Sequence, residues 1–120
     1  MDVQNIDRAP AFITKDGSEI RELLAWRNSC IRNQTLAEAR VPPGKTTLAH
    51  KHIRSEEIYY ILAGRGRMRI EDELRDVAAG DAIAIPPGAV HQITNIGAET
   101  LKFLCCCAPG YEHGDTELVA

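Results

Sequence analysis

The sequence predicts an all-β fold, a sandwich or barrel of short strands, on three observations. Turn signals are frequent, the stretches between them are strand-length, and several of those stretches alternate apolar and polar residues. Turns fall at Asp16-Gly17, Pro42-Pro43-Gly44, Gly64-Arg65-Gly66, Glu71-Asp72-Glu73, Gly80-Asp81, Pro86-Pro87-Gly88, Asn95 to Gly97 and Pro109-Gly110.

Between those turns, strands are expected over Glu19–Leu24, Thr35–Val41, Thr47–His52, Glu57–Ala63, Arg67–Glu71, Leu74–Val77, Ala82–Ile85, Val90–Asn95 and Leu101–Cys107. Met68 and Ile70 set against Arg67, Arg69 and Glu71 show the period of two. Only Ile20 to Arg27 offers a helical alternative. Two stretches, Ile58 to Leu62 and Phe103 to Cys107, are apolar at nearly every position. A strand on a solvated sheet alternates, so these two are expected to be covered on both faces, the outer one by a second layer or another subunit. That favours a homodimer. The organisation expected is one domain overall, with an N-terminal arm and first strands over 1–34, a barrel core over 35–107 and a C-terminal tail over 108–120.

Bulk properties narrow the function classes. A chain of 120 residues with 44% hydrophobic and 26% charged residues can bury one core without staples. The net charge of −3 offers no basic face for nucleic acid. No apolar run approaches the roughly 20 residues of a membrane helix, and the opening MDVQNIDRAP lacks the pattern of a secretory signal. A cytoplasmic protein is expected, with neither nucleic acid nor membrane as partner. Cys30 stands alone and Cys105, Cys106 and Cys107 are consecutive, which makes a poor disulfide framework. These cysteines are expected to be small buried side chains in a reducing compartment.

The stretch His50 to Tyr60, HKHIRSEEIYY, carries the chemistry. On a strand His50 and His52 share a face, about 6.6 Å apart, close enough for both imidazoles to reach one metal ion. The pattern around them runs Gly44, five residues, His50-x-His52, four residues, Glu57, six residues, Gly64. A second block runs Gly80, five residues, Pro86-x-Gly88, two residues, His91, three residues, Asn95. Together the blocks resemble both signature motifs of the cupin family, with no departure at a fixed position. With flanking strands the resemblance covers about residues 35 to 107.

The resemblance implies a double-stranded β-helix, a conical jelly-roll barrel with a metal inside its mouth. Carried over by position, the ligands are His50, His52, Glu57 and His91. The motif spacing selects Glu57 over Glu56, and strand alternation agrees if Glu57, Tyr59 and Ile61 face inward. Three imidazoles and one carboxylate suit one divalent transition metal ion, Mn, Fe, Co, Ni, Zn or Cu, and disfavour iron–sulfur clusters and all-oxygen calcium sites. A metal that only braces the barrel is the structural alternative.

Other residues carry weaker signals. Tyr59 should share the face of Glu57, where it is either a catalytic donor or a core tyrosine. Gln34 and Arg40 are candidates for substrate binding, Arg40 for an anionic group, although exposed strand arginines are common. Asp81 is expected to stabilise a turn. His113 would reach the site only if the tail folds over the barrel mouth. The functional reading is a metal-dependent enzyme acting on a small oxygenated organic molecule, of the isomerase, decarboxylase or dioxygenase type. The alternative is a non-catalytic module that binds or senses a small molecule.

Overall fold

The computed structural model describes all 120 residues, as eleven strands and two single-turn 3-10 segments at Ile6–Arg8 and His113–Asp115. The strands are β1 (Ala11–Ile13), β2 (Glu19–Leu24), β3 (Thr35–Val41), β4 (His50–His52), β5 (Glu56–Ala63), β6 (Arg65–Ile70), β7 (Glu73–Ala78), β8 (Ala82–Ile85), β9 (His91–Asn95), β10 (Leu101–Ala108) and β11 (Thr116–Leu118). They form a six-stranded sheet, ordered β1-β2-β3-β10-β5-β8, and a five-stranded sheet, ordered β11-β4-β9-β6-β7. Every pairing is antiparallel, and the two sheets make the jelly-roll barrel. No helix is long and apolar enough to cross a membrane.

The period-two pattern decides which side chains fill the interior. Along β5, Glu57, Tyr59 and Ile61 are buried while Glu56, Ile58, Tyr60 and Leu62 are exposed. Along β10, Leu101, Phe103, Cys105 and Cys107 are buried. Phe103, Ile61, Ile93, Leu101, Met68 and Val41 belong to one continuous apolar core. Asn95 seals the end of β9. Its amide donates to the carbonyls of Val41 and Glu99 at 2.9 and 2.8 Å, and its Oδ1 accepts from the Gly97 amide. Each polar atom of this buried side chain therefore has a partner. Asp81 holds its turn by accepting from the Ala78 amide at 2.8 Å.

Several expectations needed correction. The strand expected from Thr47 begins only at His50, because Thr47 pairs with Ile93 outside the regular ladder, through its backbone amide and its hydroxyl. The turn at Gly64 is tighter than expected, and pairing with β7 resumes at Arg65. The strand expected over Glu19–Leu24 is present with those bounds, and its helical alternative over Ile20 to Arg27 is not realised. The strand ends at Leu24, and Asn28 closes the next turn by accepting from the Ala25 amide and donating to the Leu23 carbonyl. The three-residue strands β1 and β11 were not foreseen, being too short to show a period. Nor does the chain itself cover the outer face of β5, where Ile58, Tyr60 and Leu62 are 50%, 42% and 40% exposed.

Gly64 has φ of +89°, and a Cβ there would sit 3.0 Å from both the Leu101 Cα and the Thr100 carbonyl oxygen. Neither backbone atom can move aside without displacing β10. Gly44 also has positive φ, +77°, but a Cβ there would meet nothing within 4 Å. Gly44→Ala should therefore cost only the dihedral strain, about 1 kcal/mol, whereas Gly64→Ala should cost about 2 kcal/mol more. Urea unfolding midpoints of the two variants check the ordering.

Candidate metal centre

The site lies between the two sheets. His50 and His52 come from β4 and His91 from β9, directly across the ladder from His50. Glu57 comes from β5 in the opposite sheet. All four side chains are buried, and one ligand atom from each lies within 4.8 Å of the others. The ring centroids of His50 and His91 are 4.2 Å apart, and His52 lies 5.2 and 5.4 Å from them.

The outward nitrogens explain how the rings are aimed. Nδ1 of His50 donates to the Leu48 carbonyl at 2.8 Å, and Nδ1 of His91 to the Ala89 carbonyl at 3.0 Å. Nδ1 of His52 lies 3.0 Å from Thr116 Oγ1, whose own proton goes to the Glu112 carbonyl. It is therefore the imidazole that donates to Thr116. A neutral ring has only one N–H, so each Nε2 faces the interior as a bare lone pair.

Glu57 Oε1 sits 3.1 Å from Nε2 of His52 and 3.3 Å from Nε2 of His91. With neutral rings these are acceptors facing an acceptor, and Nε2 of His91 is buried with no hydrogen-bond partner. Such an arrangement needs a cation at its centre, protons or a metal ion. The donor set of three imidazole nitrogens and one carboxylate oxygen fits a divalent transition metal. Burial opposes ionisation of Glu57, but when His52 and His91 carry protons on Nε2 their hydrogen bonds and charge outweigh it and hold the carboxyl at about 2. Burial pushes the His50 imidazole down, and His91 adds to this while Asp16 opposes it. Glu57 is thus a carboxylate and His50 is biased toward its neutral form, the states in which each can bind a metal.

Loops on both sides hold the ligands in place. Glu71, in the left-handed region with φ of 51°, accepts from the Val90 amide through Oε1, and its own amide donates to the Val90 carbonyl. These two bonds fix the backbone one residue before His91.

The other residues singled out from the sequence separate into two groups. Tyr59 lines the cavity, its ring 5.9 Å from His91 and 4.5 Å from Phe103. Burial, reinforced by Glu57, raises its phenol well above the ordinary value, so it stays a protonated donor. Gln34 and Arg40 do not reach the cavity. Gln34 borders a separate surface depression with Trp26 and Arg54. Arg40 lies between the inward-facing Ala39 and Val41 and instead pairs with Glu38 at 2.6 Å. His113 is exposed, 3.5 Å from the Tyr111 hydroxyl, and stays outside the cluster.

Four contributors were missed. The tail does fold over the mouth, but with Tyr111, whose ring is 5.9 Å from His52, and with Thr116. Cys107, opposite Glu57 in the ladder, donates its thiol proton to Glu57 Oε2 at 3.2 Å. Burial and the Glu57 charge push that thiol far up, so it is a donor and no thiolate ligand. Asp16 Oδ2 lies 3.6 Å from Nε2 of His50. The signals for Cys107 and Asp16 were their residue types alone.

Comparison with known proteins supplies the relatives. The family model for the Cupin domain matches residues 37–107. An uncharacterised protein of Methanocaldococcus jannaschii is 54% identical over 113 residues, 94% of this chain and 90% of that protein. The oxalate-binding protein of Thermotoga maritima is 34% identical over 86 residues, 72% and 71% of the two chains. The polyketide cyclase RemF from Streptomyces resistomycificus superposes with a TM-score of 0.84, at 23% identity, over 100% of this chain and 86% of RemF.

The burial of these thiols has a direct consequence. Iodoacetamide at pH 8 should label exposed Cys30 readily and leave Cys105 and Cys107 at least about a hundredfold slower until the protein unfolds. Peptide mass mapping with and without denaturant measures the contrast.

Proposed function

The chain belongs to the cupin family, and we propose that it binds one divalent transition-metal ion and acts with it on a small oxygenated organic molecule. His50, His52, Glu57 and His91 would hold the ion. The observation that carries this is the buried group of His50, His52, His91 and Glu57, in which Nε2 of His52 and of His91 lie 3.1 and 3.3 Å from one carboxylate oxygen. A bound ion of this kind supplies Lewis acidity toward a carbonyl or a water, or redox chemistry if it is iron.

The chain's own residues would do the rest. Thr116 and the carbonyls of Leu48 and Ala89 keep the imidazoles aimed inward. Cys107 occupies Glu57 Oε2, which leaves Oε1 as the inward donor. Tyr59, protonated and in the cavity wall, can donate a hydrogen bond to a ligand. The cavity volume of about 50 Å³ suits a molecule of a few carbon atoms.

Elemental analysis tests the metal. Wild-type protein should carry about one transition-metal ion per chain, and His91→Ala should lose more than about a hundredfold in affinity. No metal in the wild type, or full occupancy in the variant, would overturn the assignment. The loaded protein should turn over at least one member of a panel of hydroxycarbonyl compounds, catechols, 2-oxo acids and unsaturated uronates. Binding without turnover across that panel would favour a non-catalytic role.

We also propose a homodimer through the outer face of the six-stranded sheet. Ile58 lies between Cys106 and Ala84 in the ladder, Tyr60 lies between Leu104 and Ala82, and Leu36 follows beyond Cys106. These outward side chains form one apolar strip across β3, β10, β5 and β8, and a matching strip exists on a second copy. Light scattering at micromolar concentration should give the dimer mass for the wild type and the monomer mass for Tyr60→Glu. A monomeric wild type would refute this.

A further inference from the structure

Asp16 sits at the tip of the β1–β2 turn, where Gly17 donates back to the Thr14 carbonyl at 3.0 Å. Three donors converge on its Oδ1: the Thr14 hydroxyl at 2.6 Å, the Ser18 amide at 2.9 Å and the Ser18 hydroxyl at 2.6 Å. The Asp16 carbonyl accepts from the Leu48 amide at 2.7 Å, which ties the turn to the segment leading into β4 and His50. The side chain is thereby fixed with its other oxygen, Oδ2, beside the metal-facing nitrogen of His50. Asp16 lines the cavity but lies outside the group of four converging ligands.

Nothing around the cavity offsets this carboxylate. No lysine or arginine lines the wall. The adjacent Lys15 turns away, its Nζ donating to the carbonyls of His113 and Thr116. Glu22, also in the wall, already has Arg27 as its partner at 2.8 Å. The uncompensated acidic groups are therefore Glu57 and Asp16. Against a divalent cation they sum to zero before any ligand enters. A dianion such as oxalate would leave the buried site two charges negative, with no cation to meet its free oxygens. An uncharged ligand keeps the balance, and a hydroxyl on it can donate to Asp16 Oδ2.

We propose that Asp16 sets the ligand class of this site, excluding small carboxylates and admitting an uncharged hydroxylated molecule such as a hydroxycarbonyl compound. This rests on the metal assignment above, and it separates this cavity from the oxalate suggested by the name of the Thermotoga relative.

The test uses three probes of similar size and stepped charge, hydroxyacetone, glycolate and oxalate, on cobalt(II)-loaded protein. The visible cobalt bands report binding. Affinities are compared with those of the same probes for aqueous cobalt(II), which cancels their intrinsic strengths as ligands. In the wild type the ratio of protein-bound to aqueous affinity should fall from hydroxyacetone to glycolate to oxalate. Asp16→Asn keeps an acceptor for Thr14 and Ser18. It should strengthen oxalate by about tenfold or more and glycolate by less, while hydroxyacetone stays the same or weakens. A wild type that favours oxalate on this scale, or a variant that shifts all three probes equally, would overturn the proposal. The wild-type series needs no variant, so poor folding of Asp16→Asn leaves the test intact. Failure to develop cobalt bands before any probe is added would overturn the metal assignment itself, and the charge argument with it.

Discussion

The arrangement of this protein turns on one electrostatic constraint: a buried carboxylate held among three imidazoles whose outward nitrogens are already hydrogen-bonded elsewhere. Each ring spends its N–H on an outward acceptor, a carbonyl beside His50 and His91 and the Thr116 hydroxyl beside His52. Repulsion among the inward lone pairs and Glu57 Oε1 has to be relieved by a cation. The surrounding fold can be understood as what keeps that group assembled. β4 and β9 supply the rings from one sheet, β5 supplies the carboxylate from the other, and β11 crosses the edge of β4 to hold His52.

That assembly divides the barrel into two ends with different solvents. Toward Asn95 the interior is apolar and closed, with Phe103, Ile61, Ile93 and Leu101 packed together. Toward Tyr111 and Thr116 it opens into a small cavity whose wall mixes apolar side chains with the buried ligands, Asp16 and Thr116. Tyr59 stands at the boundary, its ring against Phe103 on one side and His91 on the other. The apolar end keeps water and its high dielectric away from one side of the ligands, which strengthens every charge interaction at the other. The same period of two places Ile58 and Tyr60 on the opposite surface of β5, so a single strand carries both the site and the apolar strip outside.

Much of this was legible in the sequence because it depends on local period. Glu57 was separable from Glu56 since alternation with Tyr59 and Ile61 puts one inside and the other out. His50 and His52 share a face for the same reason. What could not be read depends on contacts between distant segments. Cys107 meets Glu57 only because β10 pairs with β5 in one particular register, and a register has no signature within either strand. Tyr111, Thr116 and Asp16 arrive from the tail and from a hairpin turn, whose paths over the barrel follow from packing rather than from pattern. Arg40 failed for a readable reason: Ala39 and Val41 on either side are the inward residues, so alternation already turned the arginine away.

The two sheets meet across the site, and this gives an ion there a role in folding. Without a cation the folded chain bears the desolvation of Glu57 and the facing lone pairs, a cost the unfolded chain escapes in water. An ion that binds the folded state and not the unfolded one returns its binding free energy as stability. Because His50, His52 and His91 lie in one sheet and Glu57 in the other, that gain resists the separation of the sheets themselves. Asp16 extends the same logic to the β1–β2 turn, whose negative charge faces the centre from outside the ligand group. A cation bound at the centre would attract the Asp16 carboxylate and so add to the Thr14, Ser18 and Leu48 hydrogen bonds that hold the turn. On the proposed reading, the geometry of the mouth would thereby be coupled to occupancy of the centre.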